Sequence, residues 1–197
     1  MVIPTGQADN IILDRLRLND QTALTRLMEL HYQSLFRYGA RLYPDEALIR
    51  DCIQEVFIAI WERRAKLPII KSFRAYLIKA LRNRIRLELR QNRLQNSEPL
   101  WNDEHHFRAE YTVDPAFLSE EEQSQQLQKL ELLLNALPSR QKEIIHLRFY
   151  QNLSHEQIAE IMAMNRQSVY NLLHETLRKL RNHWELPLLL FWLSRLA

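Results

Sequence analysis

The sequence predicts an all-α protein: two small helical domains joined by an acidic linker, the C-terminal one a four-helix module carrying a helix-turn-helix. Three observations carry that expectation. Two glycines and seven prolines in 197 residues leave little of the chain punctuated as turn. Apolar residues, 46% of the total, recur mostly at three- and four-residue steps. A basic block then precedes an acidic one. Residues 63–93 hold eleven Lys or Arg against the single acid Glu88, and residues 96–122 hold eight acids against Arg108 alone. The formal net charge of +3 hides this asymmetry, which suggests a polyanion-binding surface and a separate solvated connector.

The most informative stretch is residues 153–181, which reads as two helices around a very short turn. Ser154 caps the first, and Gln157 three residues on completes a capping box. Ile158, Ile161 and Met162 give that helix one apolar side, and Ala159 is small enough for a second helix to cross closely. The turn is Ala163-Met164-Asn165, with Asn165 as the cap of the second helix. Such turns often carry a glycine, so Asn165 is expected to take any left-handed conformation. In the second helix Val169, Leu172, Leu173, Leu177 and Leu180 are expected inward, leaving Arg166, Gln167, Tyr170, Asn171, His174 and Arg178 outward, with Ser168 in the first turn. Amide, imidazole and guanidinium groups on one face suit base edges in a major groove. A polar surface helix that meets only water is the alternative.

Taken in order, residues 8–18 form a short helical pattern containing Ile11, Ile12, Leu16 and Leu18. Asn19-Asp20 break it and cap a helix running to about Tyr43, with Leu24, Leu27, Met28, Leu30, Leu35 and Phe36. Pro44-Asp45 begin a third helix, over about 45–64, whose Ile49, Cys52, Ile53, Val56, Phe57 and Ile60 follow the spacing of one buried stripe. Its other side carries Asp51, Gln54, Glu55, Ile58, Trp61 and Glu62. An exposed Trp and Ile among polar groups resemble a protein-binding patch; otherwise Trp61 folds over the following loop as core.

That loop, residues 65–72, contains Pro68 and ends on Ser72, the cap of a fourth helix over about 73–91. Phe73, Leu77, Leu81 and Ile85 should face inward. Lys79, Arg82, Arg86 and Arg90 form a basic stripe, with Arg74, Asn83 and Arg84 alongside and Lys71 just before the helix. Phosphate contacts from such a stripe give salt-dependent affinity. Tyr76 and the loop's apolar residues are suited to stack on or pocket an unpaired base.

Here the chain resembles a known family. Asp51-Cys-Ile-Gln54-Glu55-Val-Phe57-Ile-Ala-Ile-Trp61, then Ser72-Phe73-Arg74-Ala75-Tyr76-Leu77 and Arg82-Asn83, looks like conserved region 2 of bacterial sigma factors. Leu137-Pro138-Ser139-Arg140, through Leu153-Ser154 and Ile158-Ala159 to Val169–Leu180, is similar to their region 4. With nothing of substance between the blocks, the chain is similar to the extracytoplasmic-function (ECF) group of the sigma-70 family. The wording of residues 165–172 resembles members paired with iron- and glycan-uptake receptors in Bacteroidetes.

The resemblance implies a region 2-like domain over residues 8–92, a linker over 93–119, and a region 4-like helix-turn-helix domain over 120–182. It implies that Asp51, Gln54, Glu55, Ile58 and Trp61 dock on a coiled coil of the clamp of core RNA polymerase. The loop before Phe73, with Lys71, Arg74, Tyr76, Lys79, Arg82, Asn83 and Arg86, would read and open the −10 promoter element. Tyr76 stands where related sequences often have Trp. Arg166, Gln167, Ser168, Tyr170, Asn171, His174 and Arg178 would read the −35 element as duplex DNA. The acidic linker would thread toward the RNA exit path. A membrane-bound anti-sigma factor would hold the protein inactive.

Within the linker, His105-His106 have no Cys or carboxylate at ligand spacing to complete a metal site, so no metal or cofactor is expected. Beyond it, Leu127, Leu130, Leu134 and Leu137 align on one helix, and Pro138-Ser139 cap the next, which carries Ile144, Ile145, Leu147 and Phe149. These helices are expected to pack under the helix-turn-helix. The tail, residues 183–197, is very apolar and is expected to fold back on one of the domains, with a membrane-surface or anti-sigma contact as alternatives. It is too short to span a bilayer, which needs about 20 residues. A single cysteine, Cys52, allows no internal disulfide, and the first residues show no charged segment followed by an apolar run, so no export signal and a cytoplasmic location are expected. With no phosphate-cradling glycine loop, nucleophile–base motif or metal cluster, catalysis is not expected. A stand-alone helix-turn-helix regulator, whose first domain dimerises or binds a ligand, is the alternative, with a purely structural helical adaptor as a third.

Overall fold

A computed structural model of the chain describes residues 5–68, 70–96, 107–108 and 129–181. The described residues are helices and their connections, with no strand among them. They divide into two compact units at the boundary between Trp101 and Asn102. The expected tail, the His105-His106 pair and residues 120–128 lie outside the described residues.

The first unit consists of α1 (Thr5–Arg17), α2 (Gln21–Leu42), α3 (Glu46–Glu62), a short 3-10 turn (Arg64–Lys66) and α4 (Phe73–Asn96). The caps lie where the sequence places them. Asp20 Oδ1 accepts from the Thr22 amide at 2.9 Å, and Asp45 Oδ1 accepts from Ala47 and Leu48 at 2.9 and 3.1 Å. Asn19, just before the first cap, takes the left-handed conformation at φ 67°, which its short polar side chain tolerates. Ser72 Oγ accepts from the Ala75 amide to start α4.

The core joins Leu27, Leu35, Tyr38 and Leu42 of α2 to the full expected stripe of α3 and to Phe73, Leu77, Ile78, Leu81 and Ile85 of α4. Helix α2 approaches α3 closely because Gly39 has no side chain; a Cβ there would stand 2.7 Å from Ile49 Cγ2. Cys52 lies in this core, where burial, with Glu88 adding less, pushes its thiol up to about 12. The group therefore stays protonated and unreactive near neutral pH. Of the α1 pattern, Leu16 is buried, whereas Ile11 and Leu18 are exposed and Leu13 takes the inward place.

The second unit holds a helix described over residues 129–135 (α5), α6 (Ser139–Ile145), a π turn (His146–Tyr150), α7 (His155–Met162) and α8 (Arg166–Arg181). Leu130, Leu134 and Leu137 are buried, as are Ile144 and Ile145 of α6 and Leu147 of the π turn. Helix α8 packs on α6 and α7, as amphipathic helices too short to stand alone must. Pro138, the first of the two expected cap residues, stands at the α6 cap position without a side-chain cap bond, and Ser139 is the first residue of the helix. The π turn closes with the Gln151 amide donating to the His146 carbonyl at 3.1 Å.

Two boundaries differ from expectation. Helix α4 continues to Asn96, since residues 92–96 contain no Gly or Pro to stop it. Phe107, inside the expected solvated linker, is buried in the second unit, its ring 5.6 Å from that of His146. An aromatic ring gains too much from leaving water to share its acidic neighbours' solvation.

The largest local difference is in the turn between α7 and α8. Ala163, not Asn165, takes the left-handed conformation, at φ 52° and ψ 46°. Asn165 is engaged instead as a helix cap. A non-glycine residue in that region carries strain of roughly 1–2 kcal/mol, of which a glycine's extra unfolded-state freedom offsets part. Ala163→Gly is therefore expected to stabilise the second unit by about 0.5–1 kcal/mol in denaturant unfolding. At Asn152, left-handed at φ 50°, the same change should gain less, because asparagine tolerates the conformation. A loss of stability at position 163 would contradict the strain assigned to this turn.

Candidate nucleic-acid interface

The helix-turn-helix is built from local bonds. Ser154 Oγ accepts from the Gln157 amide at 3.3 Å while Gln157 Oε1 accepts from the Ser154 amide at 2.8 Å, completing the capping box. Helix α7 buries Ile158, Ala159, Ile161 and Met162. At its end the Met164 amide donates to the Ala159 carbonyl at 2.9 Å. Asn165 Oδ1 then accepts from the Ser168 amide at 2.7 Å, starting α8.

Helix α8 buries Val169, Leu173, Thr176 and Leu180; Leu172 and Leu177, expected inward, are half-buried. Thr176 escapes a hydrophobicity pattern because its hydroxyl is satisfied within the helix, donating to the Leu172 carbonyl at 2.7 Å.

The outward set holds together. Arg166, Gln167, Tyr170, Asn171, His174 and Arg178 are all exposed, and Ser168 is half-buried. Gln167 Nε2 donates to Asn171 Oδ1 at 3.0 Å. Tyr170 and His174 stack with centroids 6.1 Å apart. His155, the first residue of α7, meets Tyr170 edge-on at 6.2 Å. No periodicity on α8 reveals His155; its position just after the Ser154 cap is the only sequence signal. Arg166 Nε lies 2.9 Å from Glu156 Oε1. Bonds from its own amide and from Ser154, with Arg166 adding less, hold the Glu156 carboxyl below the usual range.

In the first unit the outward side of α3 presents Asp51, Gln54, Glu55 and Ile58 to solvent. Trp61 falls between the two expectations for it. The ring is half-buried, with the Arg64 guanidinium 4.3 Å over its centroid. Arg64 also donates to the Trp61 carbonyl at 2.7 Å and to Asn19 Oδ1 at 2.6 Å, bracing the end of α3. Glu55 is paired with Arg84 of α4, which also holds Glu88.

The basic stripe of α4 is narrower than its spacing suggests. Asn83, Arg86 and Arg90 are exposed, as is Lys71 before the helix, and Arg74, Tyr76 and Lys79 are half-buried. Arg82 departs from the stripe: it is 3% exposed, packed into the unit and engaged there. It falls one turn after Ile78, on the inner side of α4, where a guanidinium stays only with partners. Tyr76 stacks on Phe73 at 6.0 Å.

The loop before α4 also differs. Leu67 and Ile70, expected to help pocket a base, are buried. Arg17 of α1 donates to the Leu67 and Pro68 carbonyls at 3.4 and 3.2 Å, pinning the loop down. Tyr76 remains as the half-open aromatic wall. Among the described residues no group of three His, Cys, Asp or Glu stands together as a metal site, and no helix is long and apolar enough to cross a membrane.

Comparison with known proteins gives the family. Residues 27–95 match Sigma-70 region 2, and residues 133–182 match Sigma-70, region 4. Among curated proteins none matches the chain. Similar solved structures include CnrH in complex with the cytosolic domain of CnrY, at 19% identity and a TM-score of 0.56, covering 89% of this chain and 96% of that one. The sigma factor RpoE, in complex with the anti-sigma factor NepR from Bartonella quintana, is 18% identical with a TM-score of 0.53, covering 80% and 94%. Both likenesses concern the fold. The two family matches take up more than half of the chain in the order region 2, region 4, and the chain belongs to the sigma-70 family of RNA polymerase sigma factors, in the arrangement of the ECF group.

Proposed function

We propose that this sigma factor directs core RNA polymerase to its promoters by dividing the work among three faces. The exposed side of α3, with Asp51, Gln54, Glu55, Ile58 and Trp61, docks on the clamp coiled coil of the polymerase. Lys71, Arg74, Tyr76, Lys79, Asn83 and Arg86 hold and help open the −10 element. Arg166, Gln167, Ser168, Tyr170, Asn171, His174 and Arg178 read the −35 element as duplex.

One observation supports this above the others: Arg166, Gln167, Tyr170, Asn171 and His174 all face solvent at the start of α8, while Val169 and Leu173 on its other side are buried. A helix with one side so committed and the other so varied suits a groove rather than water alone. Arg82 plays a different part in this reading. It supports α4 from within and touches DNA only through the residues it positions.

The protein supplies no catalysis of its own in this reading and works in the cytoplasm, where the polymerase is. Its partners are core polymerase, promoter DNA and a membrane-bound anti-sigma factor that covers the polymerase-docking faces. That an anti-sigma factor is among the partners is supported by the similar structure of RpoE, solved with the anti-sigma factor NepR. The wording of residues 165–172 supports placement among the Bacteroidetes members linked to nutrient-uptake receptors.

Run-off transcription with purified core polymerase tests the whole reading: specific starts are expected only when both components are present, and none from core alone. Gln54→Ala with Trp61→Ala should weaken binding to core polymerase by at least about tenfold, the scale of truncating interface hot spots. Unchanged binding, with the fold intact, would remove α3 from the interface. Replacing Lys79 and Arg86 by Ala should lower the salt dependence of promoter binding by the holoenzyme, by about 0.7–0.9 in the log–log slope for each phosphate no longer neutralised. An unaltered slope would mean that α4 does not touch the backbone.

A further inference from the structure

The two amides on α8 are bonded to each other, and that bond restricts what they can read. Gln167 and Asn171 are one helical turn apart, and Gln167 Nε2 donates to Asn171 Oδ1 at 3.0 Å. Each amide thereby turns one end toward its partner. The two groups the bond leaves wholly uncommitted are the carbonyl oxygen of Gln167 and the amino group of Asn171, one acceptor and one donor from different residues. Turning both amides over reverses the bond but leaves the same outward offer.

An adjacent acceptor and donor have one complement among base edges in the major groove. Adenine presents the N7 acceptor beside the N6 amino donor. Guanine presents two acceptors, cytosine a donor, and thymine an acceptor with a methyl group. The bond also holds the two amides side by side on one face of α8, within reach of a single base edge. Two further contacts favour adenine over guanine here. Arg166, which precedes Gln167 in the chain and is of the residue type that most often reads guanine, is paired with Glu156 at 2.9 Å. The stacked Tyr170 and His174 rings beside the amides offer flat apolar surface suited to a thymine methyl.

Resting on the assignment of α8 to the −35 element, we propose that Gln167 and Asn171 act as one bidentate reader of a single adenine in that element. Neither residue specifies the base alone. The mutual bond fixes both side chains before DNA arrives, which lowers the ordering cost of the contact.

The test is promoter selection by the reconstituted holoenzyme from a library randomised across the −35 element. Wild type is expected to prefer A·T at one position by about tenfold or more, the range of a bidentate contact. Gln167→Ala and Asn171→Ala should each flatten preference at that same position, and the double variant should be no flatter than either single. All three should melt as wild type does, because both side chains are exposed. Replacing that adenine by 7-deazaadenine, which lacks the N7 acceptor, or by purine, which lacks the amino donor, should weaken wild type by a similar factor and leave the double variant unmoved.

Single variants that relax two different positions, or singles whose effects add, would overturn the coupled reader while leaving the −35 assignment standing. A wild-type holoenzyme that initiates with no −35 base preference at all would overturn both.

Discussion

Helix α8 cannot present its outward face in one orientation unless its first turn is held, and that turn depends on the side chain of Asn165. The bond from the Ser168 amide to Asn165 Oδ1 ends the connection from α7 and starts the helix in one register. A one-residue slip would rotate every outward side chain by about 100°, given 3.6 residues per turn. Sixteen residues make a helix that is marginal by itself. Burial of Val169, Leu173, Thr176 and Leu180 therefore supplies the stability, and the cap supplies the angle of approach. Ala163 takes up the bend between the two, in the strained conformation that frees Asn165 to act as cap.

The first unit shows a comparable division among its cations. Arg17 is engaged by the carbonyls of the loop before α4, Arg64 by Trp61 and Asn19, and Arg84 by Glu55 and Glu88. These guanidiniums tie α1, α3 and α4 into one surface. Arg86 lies on the exposed side of α4, beside Asn83. A basic block that looks uniform in the sequence is thus partly scaffold and partly exposed surface, and Glu55 is paired with that scaffold.

The architecture was legible because helix formation here is local. Asp20, Asp45, Ser72 and Ser154 cap helices through neighbours two or three residues away, and the α3 stripe is buried in full. The outward face of α8 was legible for the same reason. What escaped depends on tertiary placement. Arg82 lies in the same basic run as Arg86, and only the packing of α4 decides which of them faces water. Leu67 and Ile70 look available in a loop, but Arg17, fifty residues earlier, holds that loop against the unit. His155 joins the Tyr170 stack across the α7–α8 crossing, and Phe107 is buried despite acidic neighbours. In the turn, residue preference favoured asparagine for the left-handed position. The demand for a cap at Asn165 outweighed it, and the strain moved to Ala163.

In the function proposed, this chain recognises promoter DNA as part of the polymerase rather than alone. Footprinting on a promoter it transcribes tests that most directly. With core polymerase present, protection is expected over both the −35 and −10 elements, with strand opening at −10; the chain by itself and core by itself should leave the same DNA open. Tight protection of a palindromic duplex by the isolated chain, unchanged by polymerase, would contradict the account.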